Sequence, residues 1–438
     1  MSIHNLALGT ALLVLVAGPA AALDVAAVKP GLEAEIVADY PHLLVLYKDI
    51  HAHPELGFQE TRTAAKLAGE MHALGFTVTE GVGKTGLVAI YRNGAGPTVL
   101  MRTELDALPL EEKTGLSYAS HDKTTWNGRE TFVDHACGHD VHMAIWVGTA
   151  KALLAMKDKW RGTLMFVGQP SEEIGAGARA MMDDGLYTRF GKPSYVVGIH
   201  DLPDVAGKVM WRFRAATTTA DSLDITFFGR GGHGAMPERT IDPVVMAARF
   251  IEDVQTVISR EKDPGAFGLI TVGGVEAGSA GNIIPDQARL RGTIRTLDDG
   301  VRAKILEGVR RTANGVAAIA GAPPPKIDLT PGAHAILDDQ DVTGRTATVL
   351  EKAFGNRASE QLAVTPASDD FSIYLQAGVP GTLLTLGATD PKLVAAAVAG
   401  GAPVPGNHSP QFAPVPEPTI KAGVEAMALT VMNLLPKS

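Results

Sequence analysis

Short, nearly continuous apolar runs alternate with stretches of helical apolar spacing along most of this chain, and that alternation limits its fold more than any other feature. Residues 87–91, 98–101, 163–167, 195–199 and 382–386 are strand-like runs with almost no polar face. A strand of that kind must be covered on both sides, so the pattern predicts an α/β fold: a mostly parallel sheet with helices on each face. Covering helices are predicted over 32–50, 61–74, 143–156, 176–182 and 343–354, and Gly75 stands where a helix C-terminal cap belongs.

The middle of the chain reads differently. Residues 223–228 alternate, 244–258 are helical, 268–272 and 288–293 are strand-like, 301–319 are helical, and 326–329 form one more short run. That order describes a smaller α+β domain with its own antiparallel sheet, inserted into the larger one. With 438 residues the chain is too long for one ordinary core. The expected division is a leader at 1–22, the larger domain at 31–216 and 332–438, and the insert at 217–331.

Residues 6–17 form an apolar run that ends at Gly18 and Pro19 and is followed by Ala20, Ala21 and Ala22, which fit a small-residue cleavage site. Export to the periplasm or the medium is the expectation, although no Lys or Arg precedes the run. The run is short for a membrane span, and none is expected elsewhere. A formal charge of -9, spread along the chain, leaves no basic face for phosphates, so nucleic acid is not an expected partner.

The chain has one cysteine, Cys137, which cannot form an internal disulfide. In an oxidising compartment a bare thiol is a liability, whereas a thiolate bound to metal is protected. Its neighbourhood, Asp134-His135-Ala136-Cys137-Gly138-His139-Asp140-Val141-His142, favours the second state, because Gly138 lets the backbone fold tightly enough for Cys137 and His139 to reach one ion. His135 and His142 read instead as supports.

Ligands of open parallel sheets bind beyond the carboxyl ends of the strands. Polar residues just after the predicted strands therefore carry weight: Glu104 and Asp106 after 98–101, Glu172 and Glu173 after 163–167, and His200 after 195–199. Two loops add donors. Cys137, His139, Asp140 and His142 precede a helix predicted from Met143, and His408 lies in Pro405-Gly406-Asn407-His408-Ser409-Pro410. Thiol, imidazole and carboxylate together suit Zn or a similar transition metal, and carboxylate-rich clusters often hold two ions. Of the adjacent pair Glu172 and Glu173, one can bind metal while the other moves protons. The glycine-rich stretch from Phe228 to Gly234 lacks the lysine and spacing of a phosphate loop, and His233 within it could polarise a carbonyl.

Taken together these segments resemble the metal-dependent amidohydrolases of the aminoacylase and glutamate-carboxypeptidase clan, in the branch of hippurate hydrolases and auxin-conjugate hydrolases. The similarity runs from His51-Ala52-His53-Pro54-Glu55-Leu56-Gly57-Phe58 to His408. The resemblance implies two divalent metals per subunit, Zn or Mn, on Cys137, His139, Glu173, His200 and His408. It implies Glu172 as general base, with Asp106 in support. It also implies an insert that forms a homodimer and lends His233, Asn282 and Arg295 to a small-molecule substrate, His233 acting on the partner's site. Where the family commonly reads Arg-Ala-Asp-Met-Asp-Ala-Leu-Pro, this chain has Glu104 at the first acid, and Ser368-Asp369-Asp370-Phe371 has Asp where Glu is usual.

The expected function is metal-dependent hydrolysis of the amide bond of N-acyl amino acids or similar small conjugates. A dipeptidase or carboxypeptidase on the same site is the second enzymatic reading. A periplasmic solute- or metal-binding protein is the non-catalytic one, and it gives no reason for a free acid beside a ligand acid.

Overall fold

The computed structural model describes residues 23–437; the leader expected at 1–22 lies outside the described residues. An eight-stranded mixed sheet organises most of the chain, in the order Thr77–Val82, Gly86–Asn93, Gly162–Gln169, Thr98–Glu104, Tyr195–Val205, Gly381–Thr389, Val209–Trp211 and Ala358–Glu360. The four strands from Gly162–Gln169 to Gly381–Thr389 are mutually parallel, as their apolar runs required. Antiparallel pairing appears only toward the edges, where Gly86–Asn93 joins Thr77–Val82 and Gly162–Gln169, and where Val209–Trp211 joins Gly381–Thr389.

Both faces of this sheet are covered. Helices Val25–Ala52, His139–Ala155, Gln340–Phe354 and Pro416–Leu434 bury Leu43, Trp146, Leu350 and Leu429 against one face. Met181, Leu186, Phe371 and Tyr374 cover the other. Burying an aliphatic or aromatic side chain of this size stabilises by about 1.5–3 kcal/mol, and two such layers fix the sheet that carries the site.

A second sheet, in the order Gly268–Ala277, Gln287–Thr296, Asp221–Phe228 and Lys326–Thr330, is wholly antiparallel. Helices Pro243–Asp253 and Asp299–Ile319 pack on one of its faces and share a separate core that includes Phe227, Phe250, Ile294 and Val309. Asp242 and Asp298 cap these helices by accepting the amides of Val244 and Val301.

Among the differences from the sequence reading are four elements. The helix predicted from Met143 begins at His139, because Gly138 takes φ 82° and serves as its N-cap, so His139, Asp140 and His142 are helical. The strand predicted to stop at Ile199 continues through His200 to Val205, held by pairing with Gly381–Thr389. The helix predicted over 244–258 breaks into Pro243–Asp253 and a π turn at Val257–Glu261. Helix Pro416–Leu434 was not predicted; it is buried around nearly its whole circumference and has no polar stripe to set a period.

Candidate metal centre

Two parallel strand ends, the middle of a third strand and two loops converge on one point. Thr98–Glu104 ends in the turn that carries Asp106, Gly162–Gln169 ends in the turn that carries Glu172 and Glu173, and Tyr195–Val205 carries His200. The loop before helix His139–Ala155 brings Cys137, and the turn at Asn407 brings His408. Donor atoms of Cys137, His139 and His200 lie within 4.8 Å of one another, and so do those of Cys137, Glu173 and His408. The two triads share the Cys137 thiol.

The backbone is shaped to make this possible. A side chain at Gly138 would collide with the Asp201 carboxylate, and its left-handed φ disfavours any other residue, so the glycine is needed on both counts. His408 itself adopts φ 68°, uncommon for a non-glycine residue, while its amide donates to the Ala136 carbonyl at 2.7 Å. The side-chain amide of Asn407 donates to the Cys137 carbonyl and to Asp201 Oδ1, each at 3.2 Å, which ties the late loop to the cysteine loop.

Hydrogen bonds also fix which imidazole nitrogen is free. His139 Nδ1 donates to the Asp106 carbonyl at 2.7 Å, and His200 Nδ1 donates to the Asp201 carbonyl at 2.8 Å. Each ring then turns Nε2 inward, as metal-ligating histidines do. His200 Nε2 lies 3.6 Å from Cys137 Sγ, while the buried His139 Nε2 has no hydrogen-bond partner. His408 Nε2 sits 3.3 Å from Glu173 Oε2, whose other oxygen is buried and unpartnered.

His142 has no free nitrogen: Nδ1 meets Glu104 Oε2 at 3.1 Å and Nε2 meets the Asp201 amide at 2.9 Å. It is a buttress between two neighbouring segments. Glu104 is held in turn by Arg102, whose guanidinium also reaches Asp369 at 2.7 Å, Asp370 at 3.3 Å and Gln169 at 3.0 Å. This buried network accommodates the longer acid at Glu104 and occupies Asp369 structurally.

The electrostatics of the cluster call for positive charge. Burial, then the nearby Asp369, Glu173 and Asp370, hold the Glu172 carboxyl well above the usual carboxylate range against the opposing pull of Arg102. Burial chiefly pushes Glu173 to about 7 and raises the Cys137 thiol. A thiol, three imidazoles and a carboxylate, with inward nitrogens and oxygens left unpartnered, fit divalent cations. Glu172 Oε2 comes to 4.0 Å from His139 Nε2, and its carboxylate accepts no hydrogen bond among the described residues.

The turn that holds both glutamates is pinned by acids on other elements. Asp106 accepts the amides of Glu172 and Glu173, and the fully buried Glu60 accepts the amide of Ser171 at 2.7 Å. Sequence reading passed over Glu60, Asp201 and Asn407. Two of them adjoin residues it selected, His200 and His408, and adjacency on one strand end or turn is the signal that could have found them.

The residues expected from the insert bond to residues outside the cluster. His233, on the short strand Gly232–His233, pairs in register with Ile283, and its Nδ1 accepts the Ala235 amide at 3.1 Å. Asn282 accepts the Gly234 amide through its main-chain carbonyl at 2.8 Å, and Arg295 reaches Ser368 Oγ at 3.5 Å. No hydrogen bond or ion pair joins these three to the donor cluster among the described residues.

Residues 100–433 match the model of Peptidase family M20/M25/M40. Hippurate hydrolase of Campylobacter jejuni is 34% identical over 330 residues, covering 75% of this chain and 83% of the relative. N-acetylcysteine deacetylase of Bacillus subtilis is 32% identical over 354 residues, covering 80% of this chain and 89% of the relative. Among solved structures, the YXEP protein of Bacillus subtilis, described as a dinuclear metal-binding peptidase, is 28% identical with a TM-score of 0.72 over 90% of this chain and 98% of that one. No helix of the described residues is long and apolar enough to cross a membrane.

Proposed function

This chain belongs to Peptidase family M20/M25/M40, and from that premise we propose that it hydrolyses the amide bond of N-acyl amino acids or similar small conjugates, releasing the free amino acid. The observation that carries the reading is an unbonded, buried acid, Glu172, beside a donor cluster that fits two divalent cations. Two relatives whose names specify N-acylated amino acids support the substrate class. Within the family we favour the branch of hippurate and auxin-conjugate hydrolases, on the Cys-Gly-His-Asp segment at Cys137.

Cys137, His139, Glu173, His200 and His408 would hold the cations, Zn or Mn, which supply Lewis acidity toward water and the scissile carbonyl. Glu172 takes the proton of the attacking water and delivers it to the departing amine. Its buried setting raises its proton affinity, which suits a group that must hold a proton between the two transfers. Asp106 and Glu60 keep the Ser171–Glu173 main chain still while this happens. Arg295 supplies a guanidinium for the substrate carboxylate, and Asn282 and His233 add polar contacts from the insert, His233 toward a partner's site.

We further propose that the insert, 217–331, joins two copies in a homodimer; the exposed Val244, Val245, Val275 and Ile283 support this. Export, on the run at 6–17 and the alanines at 20–22, completes the reading.

The test is a hydrolysis screen of metal-loaded protein. Release of free amino acid from N-acetyl, N-benzoyl or indoleacetyl amino acids is the expected result. Cleavage of free-amine dipeptides with none of the N-acyl compounds would overturn the reading in favour of a dipeptidase.

A further inference from the structure

Behind the cysteine loop lies a second group of ionisable side chains that the hydrolytic site does not use. His51, at the end of helix Val25–Ala52, has Nδ1 at 2.6 Å from Asp140 Oδ2 and Nε2 at 3.2 Å from Glu112 Oε1. Asp134 joins them: donor atoms of His51, Glu112 and Asp134 all lie within 4.8 Å of one another. Asp134 is 1% exposed, and neither of its carboxylate oxygens has a hydrogen-bond partner.

Charge does not balance here. Three carboxylates, Glu112, Asp134 and Asp140, face one imidazole, and no lysine or arginine is ion-paired with any of them among the described residues. Lys48 lies instead over the Tyr118 ring, 5.0 Å from its centroid. His135, next in sequence, is buried with both ring nitrogens unpartnered, so it is not ion-paired with any of these acids. Burial and the neighbouring Glu112 push Asp134 up to about 7 against the opposing pull of His51. A buried acid in that position must be neutralised, by a proton or by a cation.

We propose that Asp134, Glu112 and His51 Nε2 form a separate divalent-cation site, distinct from the Cys137 cluster. Asp140 plays the orienting part: by accepting from Nδ1 it turns Nε2 toward the two carboxylates, the arrangement that supports a ligating histidine. Two carboxylates and one imidazole suit Mn²⁺ or Zn²⁺. Binding displaces the proton that otherwise bridges His51 and Glu112. Such an ion ties the end of helix Val25–Ala52 to the segment leading into Cys137 and stabilises the loop without touching substrate.

The test counts ions. Wild type, Asp134→Asn and Asp134→Leu proteins are loaded with Mn²⁺, freed of unbound ion by gel filtration, and assayed for Mn per chain. Wild type is expected to retain one ion more than either variant, with N-acyl amino acid hydrolysis unchanged in both. Equal Mn content in wild type and Asp134→Asn overturns the site. A higher melting temperature for Asp134→Leu than for Mn-loaded wild type also overturns it, since removing a carboxylate that has no cation should stabilise. Should the Asp134 variants fail to fold, Glu112→Gln gives the same comparison, and equal ion counts in it and wild type overturn the proposal.

Discussion

Asp106 accepts the main-chain amide of Glu172 on one carboxylate oxygen, at 3.0 Å, and the amide of Glu173 on the other, also at 3.0 Å. One buried side chain thereby orients both the acid assigned to proton transfer and the acid assigned to metal. Asn at this position offers a single acceptor oxygen and must release one amide. Asp106→Asn is expected to lose about 10- to 100-fold in turnover or metal affinity, the usual cost of removing an orienting partner. Steady-state kinetics with parallel metal analysis checks this, and unchanged values for both would show the turn to be rigid without Asp106.

Glu60 holds the preceding amide, that of Ser171, and accepts the Thr85 hydroxyl through its other oxygen at 2.5 Å. Ser171 sits at φ 51°, so the turn is strained and depends on such restraints. Glu60→Gln keeps a carbonyl acceptor for Ser171 and is expected to retain more activity than Glu60→Ala, with the loss in kcat rather than KM. Equal loss in the two variants would contradict a role for this hydrogen bond.

Gly138→Ala combines a left-handed backbone with a collision at Asp201. The backbone strain alone costs about 1–3 kcal/mol. The expected outcome is a lower denaturant midpoint together with reduced metal retention, because the residue lies between two assigned ligands. Urea unfolding of the metal-free and metal-loaded variant separates the two effects.

Removing metal should affect stability as well as activity. An ion that binds only the folded state and is present at a hundredfold excess over its Kd contributes about 2.7 kcal/mol. Chelation is expected to abolish hydrolysis and to lower the melting temperature, with both restored by Zn²⁺ or Mn²⁺. A chelator-insensitive rate would contradict the metal assignment.

The sequence reading was strongest where a local rule has a local cause. Apolar strands identified the parallel centre of the sheet, and the rule that ligands gather at strand ends selected Asp106, Glu172, Glu173 and His200, which the fold does bring together. It was weakest where tertiary contacts decide. Pairing with Gly381–Thr389 carries the strand past His200, and Gly138 starts a helix four residues before the apolar pattern does. Helix Pro416–Leu434 shows no polar face because it lies inside the molecule. The part played by Glu60 is invisible in sequence, since it acts on the main chain of a segment far along the chain.

The most direct measurement is the rate of N-acyl amino acid hydrolysis by Glu172→Gln protein whose metal content has been shown to equal that of wild type. Loss of a general base costs about 10²- to 10⁴-fold, and the account predicts a fall of that size with the cations in place. Wild-type turnover in the fully metal-loaded variant would contradict it.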